Sequence, residues 1–127
     1  MANQTVPLIS QVSVRLFENG EIILISNAGE FILGRTAEQQ TKGGSSNTQI
    51  GHTDIDLSLY NAYEAGVSRR HASIYIGKDQ VTLTDLGSTN GTRLNGNIIP
   101  GFTPQRLNDK DIITLGKLKL QIFIVLT

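Results

Sequence analysis

Three short blocks carry the chemistry of this sequence: Gly34-Arg35 closing FILGR, Ser68-Arg69-Arg70-His71, and Gly87-Ser88-Thr89-Asn90-Gly91-Thr92. An arginine grips an oxyanion with two parallel N–H groups, a geometry that lysine cannot copy. Ser68 and Thr89 offer short O–H donors, Arg69 a second positive charge, and Asn90 an amide that can both give and accept a hydrogen bond with a peptide backbone. Such groups on turns suit recognition of an anion, phosphate first. A phosphothreonine would bring roughly −1.5 to −2 charges and three strong acceptor oxygens.

The elements that must position these blocks read as β-strands. Val12, Val14 and Leu16 alternate with Ser13 and Arg15 over 12–16. Asn19-Gly20 is a hairpin signal before the β-branched run Glu21–Ser26, and Ala28-Gly29 turns the chain into Glu30–Gly34. Strands are expected again at 72–76, 80–84, 112–115 and 118–126, with Leu118, Leu120, Ile122, Ile124 and Leu126 sharing one face of the last. Gly77–Asp79 and Asn95-Gly96 are turns, and Ser58–Ala65 could form a short turn of helix. Many short strands with a turn about every ten residues indicate an all-β sandwich or barrel.

Composition narrows the function. The chain has 127 residues, 39% hydrophobic and 17% charged, with a formal net charge of zero. That size suits one domain with its own core, and the neutral charge gives no long-range attraction to nucleic acid or an anionic membrane. The sequence has no cysteine, which removes disulfides, thiolate metal sites and cysteine nucleophiles. The N-terminus lacks a secretion signal, and the longest apolar stretch, near 122–126, is too short to cross a bilayer, so a cytoplasmic location is the expectation.

Residues 36–53 (TAEQQTKGGSSNTQIGHT) differ: Ala37 and Ile50 are the clearly apolar residues there. The segment reads as a polar surface-loop insertion, and its Thr36, Thr41, Thr48, Thr53 and Ser45-Ser46 are potential kinase targets.

Taken in order, Gly34-Arg35, Ser68-Arg69-Arg70-His71 and Gly87-Ser88-Thr89-Asn90-Gly91-Thr92, with Asn95-Gly96 behind, resemble the forkhead-associated (FHA) domain family over roughly residues 12–125. The resemblance implies a β-sandwich of about eleven strands with the binding loops at one end. It implies that Arg35 and Ser68 contact a phosphate, that Arg69 assists, that Thr89 completes the pocket, and that Asn90 holds the ligand main chain. Gly34, His71 and Gly91 would be structural, His71 bracing the loop that presents Ser68. The organisation expected is an N-terminal extension at 1–11 and a single FHA-like domain at 12–127 carrying the 36–53 insertion. Thirty-three positions separate Arg35 from Ser68, longer than expected for the family, with Asp54–Leu57 as the strand before the Ser loop. Flanking-residue preference would come from such loops: Glu64, Ala65 and Gly66 offer no cation for an acidic ligand residue, and Arg93 could supply one.

The function this implies is a non-catalytic phosphothreonine-peptide binding module. It would be an adaptor whose partner is a Ser/Thr kinase substrate, with no cofactor. The alternatives are a scaffold working through phosphate-independent contacts, and self-regulation through a phosphothreonine in 36–53. Ser68, His71 and Asp85 are the residue types of a hydrolase triad, but Ser68 and His71 share one loop without a nucleophile-elbow motif. His52 and His71 alone make no metal set, and GSTNGT lacks the Lys of a nucleotide-binding loop.

Overall fold

The alternation of Val12, Val14 and Leu16 buries one face of the first strand, and the same rule acts along Leu118, Leu120 and Ile122 in the last. In the computed structural model, which describes residues 7–25, 28–35 and 54–127, these two strands pair antiparallel as inner strands of a six-stranded sheet. The strands are β1 (Ile9–Leu16), β2 (Ile22–Ile25), β3 (Gly29–Gly34), β4 (Ile55–Asp56), β5 (Ala72–Ile76), β6 (Val81–Asp85), β7 (Thr92–Leu94), β8 (Asn97–Ile98), β9 (Gln105–Leu107), β10 (Ile112–Leu115) and β11 (Leu118–Leu126). One sheet runs β2-β1-β11-β10-β7-β8 and the other β4-β3-β5-β6-β9. The two form an eleven-stranded β-sandwich. Its core is drawn from both, with Val14, Leu120 and Ile113 on one side and Leu33, Ile74 and Leu83 on the other fully buried.

Strand pairing is antiparallel except between β3 and β4, where Leu33 and Gly34 run parallel to Ile55 and Asp56. Strands β5, β10 and β11 have the bounds expected from alternation. Strand β1 starts earlier than expected, at Ile9, because Ile9 and Gln11 pair with Leu126 and Val125 across a register irregularity. The helical turn shrinks to a 3-10 helix at Ser58–Tyr60, stopped by Asn61 in the left-handed region at φ 59°. Along β11 the shared face holds, but burial runs out towards Leu126, which is exposed. No helix among the described residues is long and apolar enough to cross a membrane. The polar segment 36–53, with its threonines, serines and His52, lies outside the described residues.

Register brings the chemical blocks together. Leu33 pairs with Ala72, and Ala72 with Asp85, so the end of β3, the start of β5 and the end of β6 form one row. In the facing sheet Thr92 pairs with Leu115, which pairs with Leu118. The loops leaving these rows carry Arg35, Ser68–His71, Gly87–Gly91 and the β10–β11 turn.

Candidate functional site

Arg35 follows β3 directly, and three contacts fix it. Its backbone N–H donates to the Ser68 carbonyl at 3.3 Å, and its Nε–H donates to the Val67 carbonyl at 2.7 Å. Its guanidinium lies over the Tyr63 ring, 4.8 Å from the centroid. Gly34 must be small: a Cβ there would run into the Arg69 carbonyl, so the Ser68–Arg69 loop lies directly on the strand end.

Ser68 and His71 form the second block. The Ser68 N–H donates to Nδ1 of His71 at 2.9 Å, and Nε2 of His71 meets the Gly91 carbonyl at 2.9 Å. Because Nδ1 accepts, the proton sits on Nε2, and the buried ring is the neutral tautomer that donates to Gly91. His71 thereby joins the serine loop to the loop before β7, a wider bracing role than expected from the sequence. The triad reading fails on geometry, since both ring nitrogens are committed to backbone groups and neither meets the Ser68 hydroxyl. That hydroxyl instead accepts the Thr89 N–H at 3.2 Å, which leaves its proton available to a ligand.

The third block hangs on Asp85, 5% exposed at the end of β6. Its Oδ1 accepts the Ser88 and Thr92 hydroxyls, each at 2.6 Å, while Oδ2 accepts the N–H groups of Gly87 at 3.0 Å and Ser88 at 3.2 Å. The Ser88 hydroxyl accepts the Gly91 N–H at 3.0 Å. This cage closes the loop from within and leaves Thr89 and Asn90 exposed at its tip. Burial pushes the Asp85 carboxyl up, but the four donors outweigh it and hold it below its ordinary value.

Asn90 is oriented too: its Nδ2 donates to the Gly66 carbonyl at 2.9 Å. Gly66 stands at φ 81°, and a Cβ there would fall 2.6 Å from that nitrogen, so glycine alone fits. Arg69 is exposed in the same loop as Ser68. No motif singles out the β10–β11 turn, yet Gly116 N–H donates to the Gly91 carbonyl at 3.0 Å and Lys117 N–H to the Ala65 carbonyl at 2.8 Å. The backbone of this turn is thereby bonded to the Glu64–Gly66 stretch. Arg93 lies in β7, its Nη1 3.4 Å from the Gly96 carbonyl.

His71 makes stability depend on pH. Burial is the main influence and lowers its pKa from 6.5, against the opposing pull of the Gly91 carbonyl and Asp85. Below about pH 6.5 the unfolded chain takes up a proton that the fold refuses, so stability falls with falling pH until the lower folded value is reached. The slope from this one group is at most about 1.4 kcal/mol per pH unit. Urea unfolding between pH 8 and 5 in a His52→Gln background is expected to show this loss. A flat profile over that range would contradict the buried neutral ring.

The comparisons bear directly on these loops. The family model described as the FHA domain matches residues 31–116, a span that holds all three blocks. The chain belongs to the FHA domain family. FHA domains are non-enzymatic modules known for binding phosphothreonine peptides. An FHA domain-containing protein of Arabidopsis thaliana is 41% identical over 54 residues, which is 42% of this chain and 14% of that protein's length. The chain thus spans only a small part of that relative. An FHA domain whose phosphothreonine-dependent interactions have been analysed superposes with TM-score 0.67 at 26% identity, over 91% of this chain and 97% of the other. The N-terminal FHA domain of Rad53p from S. cerevisiae, in complex with a phosphothreonine peptide, shares the fold with TM-score 0.69 at 24% identity, over 91% of this chain and 94% of that one. Among the described residues no cluster of three or more His, Asp or Glu could hold a metal.

Proposed function

We propose that this FHA domain binds phosphothreonine peptides and serves as an adaptor downstream of a Ser/Thr protein kinase, with Arg35, Ser68, Arg69, Thr89 and Asn90 as its ligand-contacting residues. The observation that carries the reading is the Ser68 hydroxyl accepting the Thr89 N–H at 3.2 Å beside an Arg35 already fixed by Val67. That bond joins the serine and Thr-Asn blocks, and the Ser68 carbonyl also accepts the Arg35 N–H, so the groups proposed to grip the anion sit on loops bonded directly to one another. An anion there meets donors already in place, and little ordering is left to the binding step. The similar FHA domain structure analysed for phosphothreonine-dependent interactions supports the same ligand class.

The test is affinity for matched peptide libraries bearing phosphothreonine, phosphoserine or unmodified threonine. Phosphothreonine peptides are expected to bind at least about a hundredfold tighter than unmodified ones, since charge-assisted hydrogen bonds to phosphate are worth about 1.5–3 kcal/mol each. Equal affinity for modified and unmodified peptides would replace this reading with a phosphate-independent scaffold.

A further inference from the structure

Tyr63 is a large aromatic residue with 71% of its surface exposed, held on a turn that is itself firmly anchored. Ala62 and Val67 on either side are buried. Within the turn, Ala65 N–H donates to the Asn61 carbonyl at 3.0 Å, Gly66 N–H to Tyr63 at 3.1 Å and Val67 N–H to Ala62 at 2.9 Å. The ring has left the core, and what it covers is Arg35, whose Cζ lies 4.8 Å from the ring centroid. The same guanidinium is held at one edge by the Nε–Val67 bond of 2.7 Å. With Nε tied to Val67 and Cζ over the aromatic ring, the guanidinium is restrained from two sides. Its Nη edge, the edge that grips an oxyanion, keeps one direction before any ligand arrives.

We infer that Tyr63 is a positioning residue for Arg35, its ring holding the guanidinium ready for the phosphate. This rests on the phosphothreonine-binding reading above. The π face does the work and the tyrosine hydroxyl does not, so phenylalanine substitutes for it and leucine, of similar bulk without a π face, does not. Because Tyr63 is exposed, neither change disturbs the core, and thermal unfolding should stay close to the parent in both.

Two measurements decide it. The first follows the Arg35 Nε–H signal by NMR in the free protein. The Val67 bond and the covering ring together should slow its exchange with water, and that exchange should be faster in Tyr63→Leu than in the parent and unchanged in Tyr63→Phe. The second measures a phosphothreonine peptide with alanine at every other position. Tyr63→Leu should weaken it about three- to fivefold, or about 0.6–1 kcal/mol at 1.4 kcal/mol per tenfold, with Tyr63→Phe unchanged. Parent-like exchange of the Arg35 Nε–H in Tyr63→Leu overturns the inference. So does faster exchange with undiminished affinity for this peptide, and a loss that appears only when its alanines are replaced by bulky residues would make Tyr63 a direct ligand contact instead. A parent indifferent to phosphate sinks the binding reading itself, and the free-protein signal shows separately whether Tyr63 orders Arg35.

Discussion

Arg35→Ala is expected to weaken binding of a phosphothreonine peptide at least about a hundredfold, the largest effect of any single change at the site. Truncating one partner of a hydrogen-bonded charge pair costs about 2–5 kcal/mol, much of it from the charge left without its partner. The fold should survive, because what the side chain gives the protein is one hydrogen bond to Val67 and one stacking contact with Tyr63. Its backbone N–H, which holds the Ser68 carbonyl, is untouched by the substitution. Affinity should therefore fall while the melting temperature moves little. Arg35→Lys is expected to fall between, roughly tenfold weaker: the charge remains, but the planar fork and the Nε–H that reaches Val67 are gone. Calorimetric titration of the three proteins with one peptide checks the order. Parent-like affinity in Arg35→Ala would remove Arg35 from the site.

The strands legible in the sequence are those long enough to show a period. Residues 72–76 and 118–126 alternate over five residues or more, and the structure gives β5 and β11 these bounds. Strands β7, β8 and β9 have three, two and three residues, which is too short for alternation to register, and pairing with neighbours defines them. Within the site, Arg35, Ser68, Thr89 and Asn90 are legible as candidates only as a set, because Ser and Asn are ordinary turn residues and three blocks in order on a β pattern say what none says alone. The parts that hold them were less so. Tyr63 reads as one more aromatic until the chain folds and sets it under a guanidinium 28 positions away. The β10–β11 turn matters because its backbone bonds to Ala65 and Gly91, a pairing set by the fold and not by local pattern. Asp85 is different, since Asp followed by Gly87 and Ser88 two and three residues on is a local turn pattern. Its residue type had suggested only the acid of a triad.

That acid organises the loop, and removing it should be the most destabilising change near the site. Asp85→Ala strips the acceptor from two hydroxyls and two backbone N–H groups in a place that is 5% exposed. Each buried donor left unsatisfied costs about 1–3 kcal/mol, and the four share one cavity into which water can enter, so a total of about 3–5 kcal/mol is expected rather than their sum. Asp85→Asn separates charge from shape. Its carbonyl oxygen can take the place of Oδ2 before Gly87 and Ser88, while its NH2 faces the Ser88 and Thr92 hydroxyls, which can rotate to accept. Ser88 already accepts from Gly91, so the fit is imperfect and a loss of about 1–2 kcal/mol is expected. The sign with pH is the usual one for a depressed carboxyl. The stabilisation is complete above 3.8 and is lost as pH falls through the lower folded value, a window that opens at lower pH than that of His71. Urea unfolding at pH 7 gives the ranking parent, Asn, Ala, and the parent's extra loss of stability below pH 4 should be absent from both variants. Hydrogen exchange locates the damage: the amides of Gly87, Ser88 and Gly91 should lose protection first, and with them the loop that presents Thr89 and Asn90. Parent-like stability in Asp85→Ala would mean that the strands alone hold this loop in place.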